Sequence, residues 1–340
     1  MKTRHIVNSV TALLLIIFTY LMYGLAYTDD CVKKADVISD TVDGTAITGK
    51  NWLRAVPDDT LIGDINIPGV HDAGAEFVSF PEFGRCQDSS IPQLLENGFR
   101  YFDVRLAVSG DKLIFRHGFL TCKTGPWFWS GTLTFDEVLK KCYRFLEENP
   151  SETIIMVIKQ EYGNESTGEF QRLVNEYIEA KPERWFTENR GNITLSEARG
   201  KIVFMRRFDN ALEYPETQCG VDVSWSDQGN TEDQSLDYNV ETRAAVFAVQ
   251  DRYKYTVENK KAAVEKIFTE PEKYLEECDF CISHTSLASG ALPTPYRYKK
   301  TLRDDAFNYN FTENTGKIGW VVVDFGNAGT ANKIYMSNFD

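Results

Sequence analysis

The chain has 340 residues, 42% of them hydrophobic and 13% aromatic, so it has enough apolar side chains to bury a substantial core and is not disordered. The formal net charge is −13, from 37 Lys and Arg against 50 Asp and Glu. This balance argues against a protein that binds nucleic-acid phosphates through a basic face. It equally disfavours strong electrostatic docking on anionic lipid.

The first residues have the pattern of a secretory signal peptide. Lys2 and Arg4 precede an apolar run over Val10–Ala26, which ends in small residues and is followed by acidic ones. This order is typical of a cleaved signal peptide, here residues 1–26. An uncleaved signal anchor is the alternative, because the run is at the short edge of a transmembrane span. We therefore predict a secreted, extracellular protein in which residues 27–52 form an N-terminal extension.

Cysteines and glycosylation motifs also fit an oxidising compartment. We expect some of the seven cysteines to form disulfides, although the sequence leaves the connectivity open. They are Cys31, Cys86, Cys122, Cys142, Cys219, Cys278 and Cys281. The Cys278–Cys281 spacing also occurs in redox and zinc sites, but no second such pair completes a metal site. N-glycosylation sequons begin at Asn164, Asn192 and Asn310.

Short runs rich in Val, Ile and Phe have the composition of buried strands. The predicted strands are Leu61–Ile67, Phe99–Leu106, Lys112–Arg116, Thr153–Lys159, Lys201–Arg207, Val246–Gln250, Phe280–Ser283 and Ile318–Asp324. Helical patterns lie between several of them. Thr134 and Glu137 form a capping box before one apolar face, and a second face begins at Phe170. A third spans Val257–Cys278 and is broken by Pro271. This alternation predicts an α/β fold, an irregular TIM-type (β/α)8 barrel that residues 53–340 form as a single domain.

Ionisable side chains follow nearly every predicted strand. Since active sites of such barrels lie at the C-terminal ends of the strands, these side chains should crowd one mouth. The set is His71, Asp72, Asp103, Arg105, Arg116, His117, Lys159, Glu161, Arg206, Arg207, Asp251 and Asp324. His284 is interpreted instead as a structural or surface residue.

Two histidines and one arginine suit the cleavage of a phosphodiester without a metal or cofactor. One histidine can take a proton from an attacking hydroxyl and the other can give one to a leaving alkoxide, while the guanidinium binds the phosphate. A metal-dependent phosphodiesterase would use carboxylates such as Asp72, Asp103 and Glu161, but Arg105 would repel a cation there. A non-catalytic binding module is a further alternative. A glycosidase would leave the histidine pair unexplained.

A set of motifs runs in order through the chain. They are Ile67–Gly74, Phe99–Arg105, His117–Gly118, Asn149–Met156, Arg199–Val203, Val249–Tyr253, Thr285–Gly290 and Gly319–Asp324. This set resembles the bacterial-type phosphatidylinositol-specific phospholipase C (X-domain) family from about residue 57 onward. The resemblance implies a TIM-type barrel that transfers the phosphoryl group to the inositol 2-hydroxyl. Diacylglycerol and inositol 1,2-cyclic phosphate would be the products, from phosphatidylinositol or from glycosylphosphatidylinositol anchors.

The resemblance also implies roles for the catalytic residues. His71 is similar to the general base, and Asp324 to the carboxylate that orients it. His117 is similar to the general acid, with Asp72 as its partner. Arg105 resembles the arginine that stands where calcium sits in the calcium-dependent relatives.

Further positions follow from the same resemblance. Asp103 should brace the arginine. The inositol contacts would come from Lys159, Arg207, Asp251 and Tyr253. Val70 and Ala73 depart from the hydroxyl residues that bacterial members usually carry, but neither change removes a catalytic group.

Access to a lipid requires an apolar rim at the mouth of the barrel. The aromatic residues of the segment Pro126–Trp129, together with Phe77, Phe80 and Phe83, could enter the membrane interface or could cover an open side of the barrel. With an acidic net charge, membrane contact would be hydrophobic, peripheral and transient. We expect a monomer with no nucleic-acid partner.

Overall fold

The computed structural model describes residues 9–22, 37–127, 129–229, 238–289, 295–298 and 316–339. A helix covers residues 9–22. Within the described ranges, no helix has the length and apolar content needed to cross a membrane. The expected cleavage point lies outside them, so the division into signal peptide, extension and barrel stays a prediction.

Eight parallel strands form the centre of the molecule, and we number them β1 to β8 in chain order. They are Ile67–Val70 (β1), Tyr101–Ser109 (β2), Ile154–Gln160 (β3), Ile202–Arg207 (β4), Val221–Asp222 (β5), Val246–Gln250 (β6), Phe280–His284 (β7) and Trp320–Val323 (β8). Parallel pairing runs from β1 to β5 and from β6 to β8, and β8 pairs back with β1. Among the described residues no ladder joins β5 to β6, which leaves one seam in the barrel.

The strand register brings cationic side chains to one level at the carboxyl ends of the strands. Arg105 on β2 lies opposite Lys159 on β3, which lies opposite Arg207 on β4. Neighbours in register point to the same face of a parallel sheet, so these three side chains share one region. The strands below this level are buried, for example Ile154–Ile158 of β3.

Four longer helices cover the outside of the barrel. They are Phe135–Glu148 (α1), Thr167–Glu179 (α2), Val257–Thr269 (α3) and Ala328–Met336 (α4). The predicted capping box at the start of α1 is confirmed, since the Thr134 hydroxyl accepts from the Glu137 backbone and the Glu137 carboxylate accepts from Thr134. The predicted break of the third helical segment at Pro271 is confirmed, since α3 ends at Thr269 and the chain continues as a π-helical turn over Glu272–Glu276.

Short elements connect these units. The remaining helices are Trp52–Ala55, Ile62–Asp64, Pro182–Arg184 and Pro295–Tyr298, which are 3-10 helices, and the α-helical turns Pro81–Gly84, Ile91–Asn97 and Leu195–Ala198. The remaining strands are Ser39–Val42, Thr45–Thr48, Phe77–Val78, Lys112–His117, Leu120–Lys123, Trp185–Phe186 and Asn239–Glu241. The crossover from β1 to β2 contains no long helix, as predicted from its composition; its helices are Pro81–Gly84 and Ile91–Asn97.

Two predicted barrel strands are corrected by the structure. Most of Leu61–Ile67 is not a strand, because the chain turns through the 3-10 helix Ile62–Asp64 and β1 begins only at Ile67. Lys112–Arg116 is a strand, but it pairs antiparallel with β2 in a hairpin and is not one of the eight barrel strands. The barrel strand that the sequence analysis missed is β5, which has only two residues and therefore does not form an apolar run in the sequence.

The six described cysteines are buried and unpaired, which corrects the disulfide prediction for them. Most pack as small apolar side chains, for example Cys142 in the face of α1 and Cys281 in β7. Cys31 lies outside the described residues. Of the three sequons, Asn164 and Asn192 are exposed, Asn310 is not described, and glycosylation remains a prediction.

Candidate active site

A cavity of about 720 Å³ opens where the barrel strands end. Seven predicted site residues line it, namely His71, Arg105, His117, Lys159, Arg207, Asp251 and Tyr253. The other three, Asp72, Asp103 and Asp324, are buried behind this wall. The structure therefore brings together, in two layers, all ten residues to which the family resemblance assigns a role. Glu161 from the wider set of ionisable residues also lines the cavity, whereas Arg116 and Arg206 do not.

His71 follows β1 and is held between a carboxylate and a guanidinium. Its Nδ1 is 2.8 Å from Oδ1 of Asp324, which follows the neighbouring strand β8, and its Nε2 is 2.7 Å from Nη2 of Arg105. A guanidinium can only donate, so Nε2 accepts and Nδ1 carries the proton that is donated to Asp324. In this neutral tautomer the Nε2 lone pair is occupied by the Arg105 donor.

The electrostatic surroundings of His71 act in opposite directions. Burial lowers its pKa and so does Arg105, but the carboxylates of Asp324 and Asp103 outweigh them, and the net shift of the pKa is upward. The ring is thus a stronger base than an isolated histidine, which suits a group that must accept a proton.

Two residues beside the carboxylates have left-handed backbone. Asp72 has φ 42° and Phe325, which follows Asp324, has φ 52°. Non-glycine residues rarely adopt this conformation, and it concentrates at functional sites where the surroundings enforce it. Here the Asp72 amide donates to Asp103 at 3.2 Å and the Phe325 amide donates to the Cys86 carbonyl at 2.8 Å.

Gln87 supports the His71–Asp324 pair from behind and has no signal in the sequence. Its side-chain amide donates to the carbonyls of His71 at 2.6 Å and Val323 at 3.2 Å, and its carbonyl accepts from the Gly326 amide at 3.1 Å. It therefore ties the end of β1 to the end of β8.

Arg105 is surrounded by carboxylates. Nε donates to Oδ2 of Asp103 at 3.1 Å, and Nη1 lies 4.0 Å from Asp72 and 3.9 Å from Glu161. Although burial opposes it, Arg105 lowers the pKa of Asp103, and the carboxylates in turn hold the pKa of Arg105 well above its usual value. A fixed cation thus occupies the centre of the site.

His117 reaches the site from an unexpected element. It ends the hairpin strand Lys112–His117, not a barrel strand, so the predicted origin was wrong although the residue lies in the cavity wall. Its Nδ1 donates to the Gly84 carbonyl at 2.7 Å and lies 3.7 Å from Oδ2 of Asp72. The ring centroids of His117 and His71 are 6.3 Å apart.

Asp72 is an unusual carboxyl. It is 0% exposed, and neither of its oxygens has a hydrogen-bond partner among the described residues. Burial raises its pKa, against the lowering influence of His117 and Arg105. Its electrostatic partner is therefore the imidazole of His117. A negative charge on Asp72 stabilises the protonated form of that ring.

A second group of polar side chains lies across the cavity. The Lys159 ammonium is 3.0 Å from Oε2 of Glu161. The Arg207 guanidinium is 3.7 Å from Oδ2 of Asp251 and lies over the Trp225 ring, 3.4 Å from its centroid. Burial opposes ionisation of Asp251, but neighbouring cationic groups lower its pKa. These ammonium, guanidinium and carboxylate groups offer both hydrogen-bond donors and acceptors to a polyhydroxylated ligand.

Aromatic side chains complete this wall, and two of the residues involved were missed. Trp225 donates from Nε1 to Asp251 at 3.2 Å, and the Tyr253 hydroxyl donates to Asp227 at 3.0 Å. Trp225 follows the two-residue β5, so no strand signal pointed to it. Asp227 follows in the same segment.

The sequence predicts that His284 is either structural or on the surface. It is fully buried, which favours the structural role. It ends β7, with its ring centroid 6.0 Å from that of His71 and 6.1 Å from that of Trp225. Burial lowers its pKa to about 4, so it is neutral near pH 7. It packs beneath the site without adding charge.

Aromatic side chains are exposed around the cavity and on the neighbouring hairpin. Phe80 is 59% exposed, Phe83, which lines the cavity, 50%, and Phe119, next to the His117 turn, 66%. Trp129 is 60% exposed and Trp127 stacks on it. Exposure of this extent favours the interfacial alternative over burial against an open side of the barrel.

Comparison with known proteins supports this description. Residues 80–208 match the family model of the phosphatidylinositol-specific phospholipase C X domain. A 1-phosphatidylinositol phosphodiesterase of Staphylococcus aureus (strain Newman) is 26% identical over 299 residues, which cover 83% of this chain and 90% of that protein. The Listeria monocytogenes protein of the same description is 32% identical over 168 residues, 47% of this chain and 49% of that protein.

Solved structures are similar over most of the chain. The phosphatidylinositol-specific phospholipase C of S. aureus superposes with a TM-score of 0.69 at 22% identity, covering 85% of this chain and 97% of that one. The L. monocytogenes enzyme gives 0.66 at 24% identity, covering 86% and 99%. These likenesses confirm the irregular TIM-type barrel. Residues 80–208 of the chain therefore match the phosphatidylinositol-specific phospholipase C X domain, and the chain is a homologue of the bacterial phosphatidylinositol-specific phospholipases C.

Proposed function

We propose that this protein is a secreted phosphatidylinositol-specific phospholipase C that acts by acid–base catalysis. One observation carries the proposal: His71 and His117 flank Arg105 in a single cavity, and a buried carboxylate lies behind each imidazole. A phosphodiester seated on the guanidinium would have a base on one side and an acid on the other.

The first step is proton transfer to His71. Nε2 takes the proton of the inositol 2-hydroxyl, and the alkoxide attacks phosphorus to form the cyclic diester. The bond from phosphorus to the diacylglycerol oxygen breaks, and His117 gives that oxygen its Nε2 proton. Because Nδ1 of His117 already donates to Gly84, its Nε2 faces the cavity as the acid. Asp72 stabilises the charged ring.

Arg105 stabilises the phosphate as its charge changes in the transition state. In the free protein Nη2 donates to His71, while Nε stays on Asp103. A bound phosphate oxygen accepts from Nη2 in place of His71, which frees the Nε2 lone pair for the 2-hydroxyl. Substrate binding thus makes His71 available to act as the base.

The opposite wall supplies the headgroup contacts. Lys159 and Arg207 can donate to inositol hydroxyls, and Asp251 can accept from them. The Tyr253 ring offers an apolar surface to one face of the sugar. Phosphatidylinositol and glycosylphosphatidylinositol anchors share this ring and phosphodiester, so both belong to the proposed substrate class.

Membrane contact is proposed to be transient and to use the exposed aromatic residues. Phe80, Phe83 and Phe119 can enter the interface between headgroups and acyl chains. The net charge of −13 gives no general attraction to anionic lipid, so this contact is hydrophobic and compatible with a monomer that binds and leaves.

The experiment uses purified protein with vesicles of phosphatidylinositol, with a glycosylphosphatidylinositol-anchored protein on vesicles, and with phosphatidylcholine as a headgroup control. Released diacylglycerol is measured for the wild type and for His71→Ala. We expect cleavage of at least one inositol lipid, none of phosphatidylcholine, and loss of about 10²–10⁴-fold in the variant. Cleavage of phosphatidylcholine, or an active His71→Ala, would contradict the proposal.

A further inference from the structure

Cys86 lies beneath both histidine–carboxylate pairs and has no part in the proposed reaction. Its Sγ is 3.7 Å from Nδ1 of His117. Together with His117 and Asp72 it forms a group whose ligand atoms all lie within 4.8 Å of one another, and a second such group joins it to His71 and Asp324. Thiol, imidazole and carboxylate together are donors that zinc prefers.

The spacing in the first group fits a tetrahedral ion. Nδ1 of His117 is 3.7 Å from both Cys86 Sγ and Asp72 Oδ2. Zinc bonds of about 2.0–2.3 Å place neighbouring tetrahedral ligands about 3.3–3.6 Å apart, so small side-chain shifts are enough. The fully buried Asp72 oxygens accept no hydrogen bond from any described residue, so both are available to coordinate an ion.

The second group is less suited to an ion. Nδ1 of His71 is already bonded to Asp324 at 2.8 Å, and all three members are buried. His117, in contrast, is partly exposed and lines the cavity. An ion bound there can be reached through the active site and can keep a position open for water.

We propose that Cys86, His117 and Asp72 form an inhibitory site for a thiophilic divalent cation, with Zn²⁺ as the best fit. Binding would displace the thiol proton of Cys86, which leaves to solvent. His117 would release its Nδ1 proton to solvent, which breaks the bond to Gly84, and would give the Nδ1 lone pair to the ion while the Nε2 proton stays in place. Coordination would stop the ring from taking up the second proton it needs as the acid.

The same chemistry predicts selectivity among cations. Ca²⁺ and Mg²⁺ prefer sets of oxygen ligands and gain little from a thiolate or an imidazole. They would leave the general acid untouched. Inhibition by Zn²⁺ but not by these ions therefore distinguishes this site from a metal-dependent active site.

The experiment has a binding arm and an activity arm. Co²⁺, a spectroscopic substitute for Zn²⁺, is titrated into the wild type, Cys86→Ala and the matched control Cys122→Ala, which removes another buried thiol. Thiolate-to-cobalt absorption should appear with one equivalent in the wild type and in Cys122→Ala, and Zn²⁺ should abolish it. It should be absent from Cys86→Ala and weakened in Asp72→Asn, a second variant that keeps the side-chain volume.

The activity arm, which rests on the proposed function, measures the Zn²⁺ concentration for half inhibition on phosphatidylinositol vesicles. We expect it to rise by about tenfold or more in Cys86→Ala, because even outer partners of a metal ligand change affinity 10–100-fold. Cys122→Ala should match the wild type. Equal inhibition of all three proteins, or a thiolate band that persists in Cys86→Ala, would overturn the site. Absence of any lipid cleavage would instead refute the proposed function, while the cobalt titration still decides the site.

Discussion

Replacement of Arg105 by lysine keeps the charge and removes the planar set of donors. In the structure Nε binds Asp103 at 3.1 Å while Nη2 binds His71 at 2.7 Å, and this second donor is the one expected to turn to the phosphate. A lysine ammonium is a single point on a flexible stem and cannot brace on Asp103 and hold two phosphate oxygens at the same time.

The magnitude follows from the hydrogen bonds that are lost. Two charge-assisted hydrogen bonds, each of about 1.5–3 kcal/mol, give about 3–6 kcal/mol. If they act in the transition state, this corresponds to a decrease of about 10²–10⁴-fold in kcat/KM. Asp103, which is buried, would also lose its closest donor.

The assay is cleavage of a soluble inositol phosphodiester, which separates chemistry from membrane binding. Arg116→Lys is the matched control, because Arg116 lies beside His117 in sequence but donates, among the described residues, to the carbonyls of Tyr162 and Phe119 and not to the site. We expect near-normal turnover in this control. Near-normal turnover in Arg105→Lys would show that a bidentate contact with the phosphate is not needed.

Three other predictions concern the histidines and the rim. His117→Ala should be partly rescued on an inositol phosphodiester with a nitrophenol leaving group, whereas His71→Ala should stay inactive on both substrates; the reverse pattern would exchange their roles. Because Asp324 raises the pKa of His71 and the base must be neutral, kcat/KM falls as the pH drops through that pKa, and Asp324→Asn should move this acidic limb to lower pH. An unmoved limb would mean that another group titrates there. Phe119→Ser should weaken sedimentation with vesicles and lower activity on vesicles more than on a soluble substrate, and equal losses on both would argue against an interfacial role.

The sequence was most informative about the barrel strands with long apolar runs. Ile154–Gln160 and Ile202–Arg207 are buried on both faces and therefore read as continuous hydrophobic segments. Val221–Asp222 has only two paired residues, and its place in the barrel depends on its neighbour β4. The hairpin strand Lys112–His117 has an ordinary strand composition. Its antiparallel pairing with β2 is what distinguishes it from a barrel strand, and this pairing is not visible in the sequence.

The site residues could be predicted because their chemistry is local, while their supports could not. A histidine or an arginine at the end of a strand is visible in the sequence. Gln87 and Trp225 are not, because they become important only when distant segments meet: Gln87 joins the ends of β1 and β8, and Trp225 lies under Arg207. The same holds for Cys86, which reads as one of several cysteines until the fold places it between the two histidines.

The most direct test of the central claim is a ³¹P NMR time course of the purified protein with phosphatidylinositol vesicles in excess chelator. Base catalysis by His71 on the inositol 2-hydroxyl, with Arg105 in place of a metal, predicts that the first product is inositol 1,2-cyclic phosphate. It should form at the same rate with or without the chelator. Direct appearance of an acyclic inositol phosphate, or activity that vanishes with the chelator and returns with added Ca²⁺, would contradict the account.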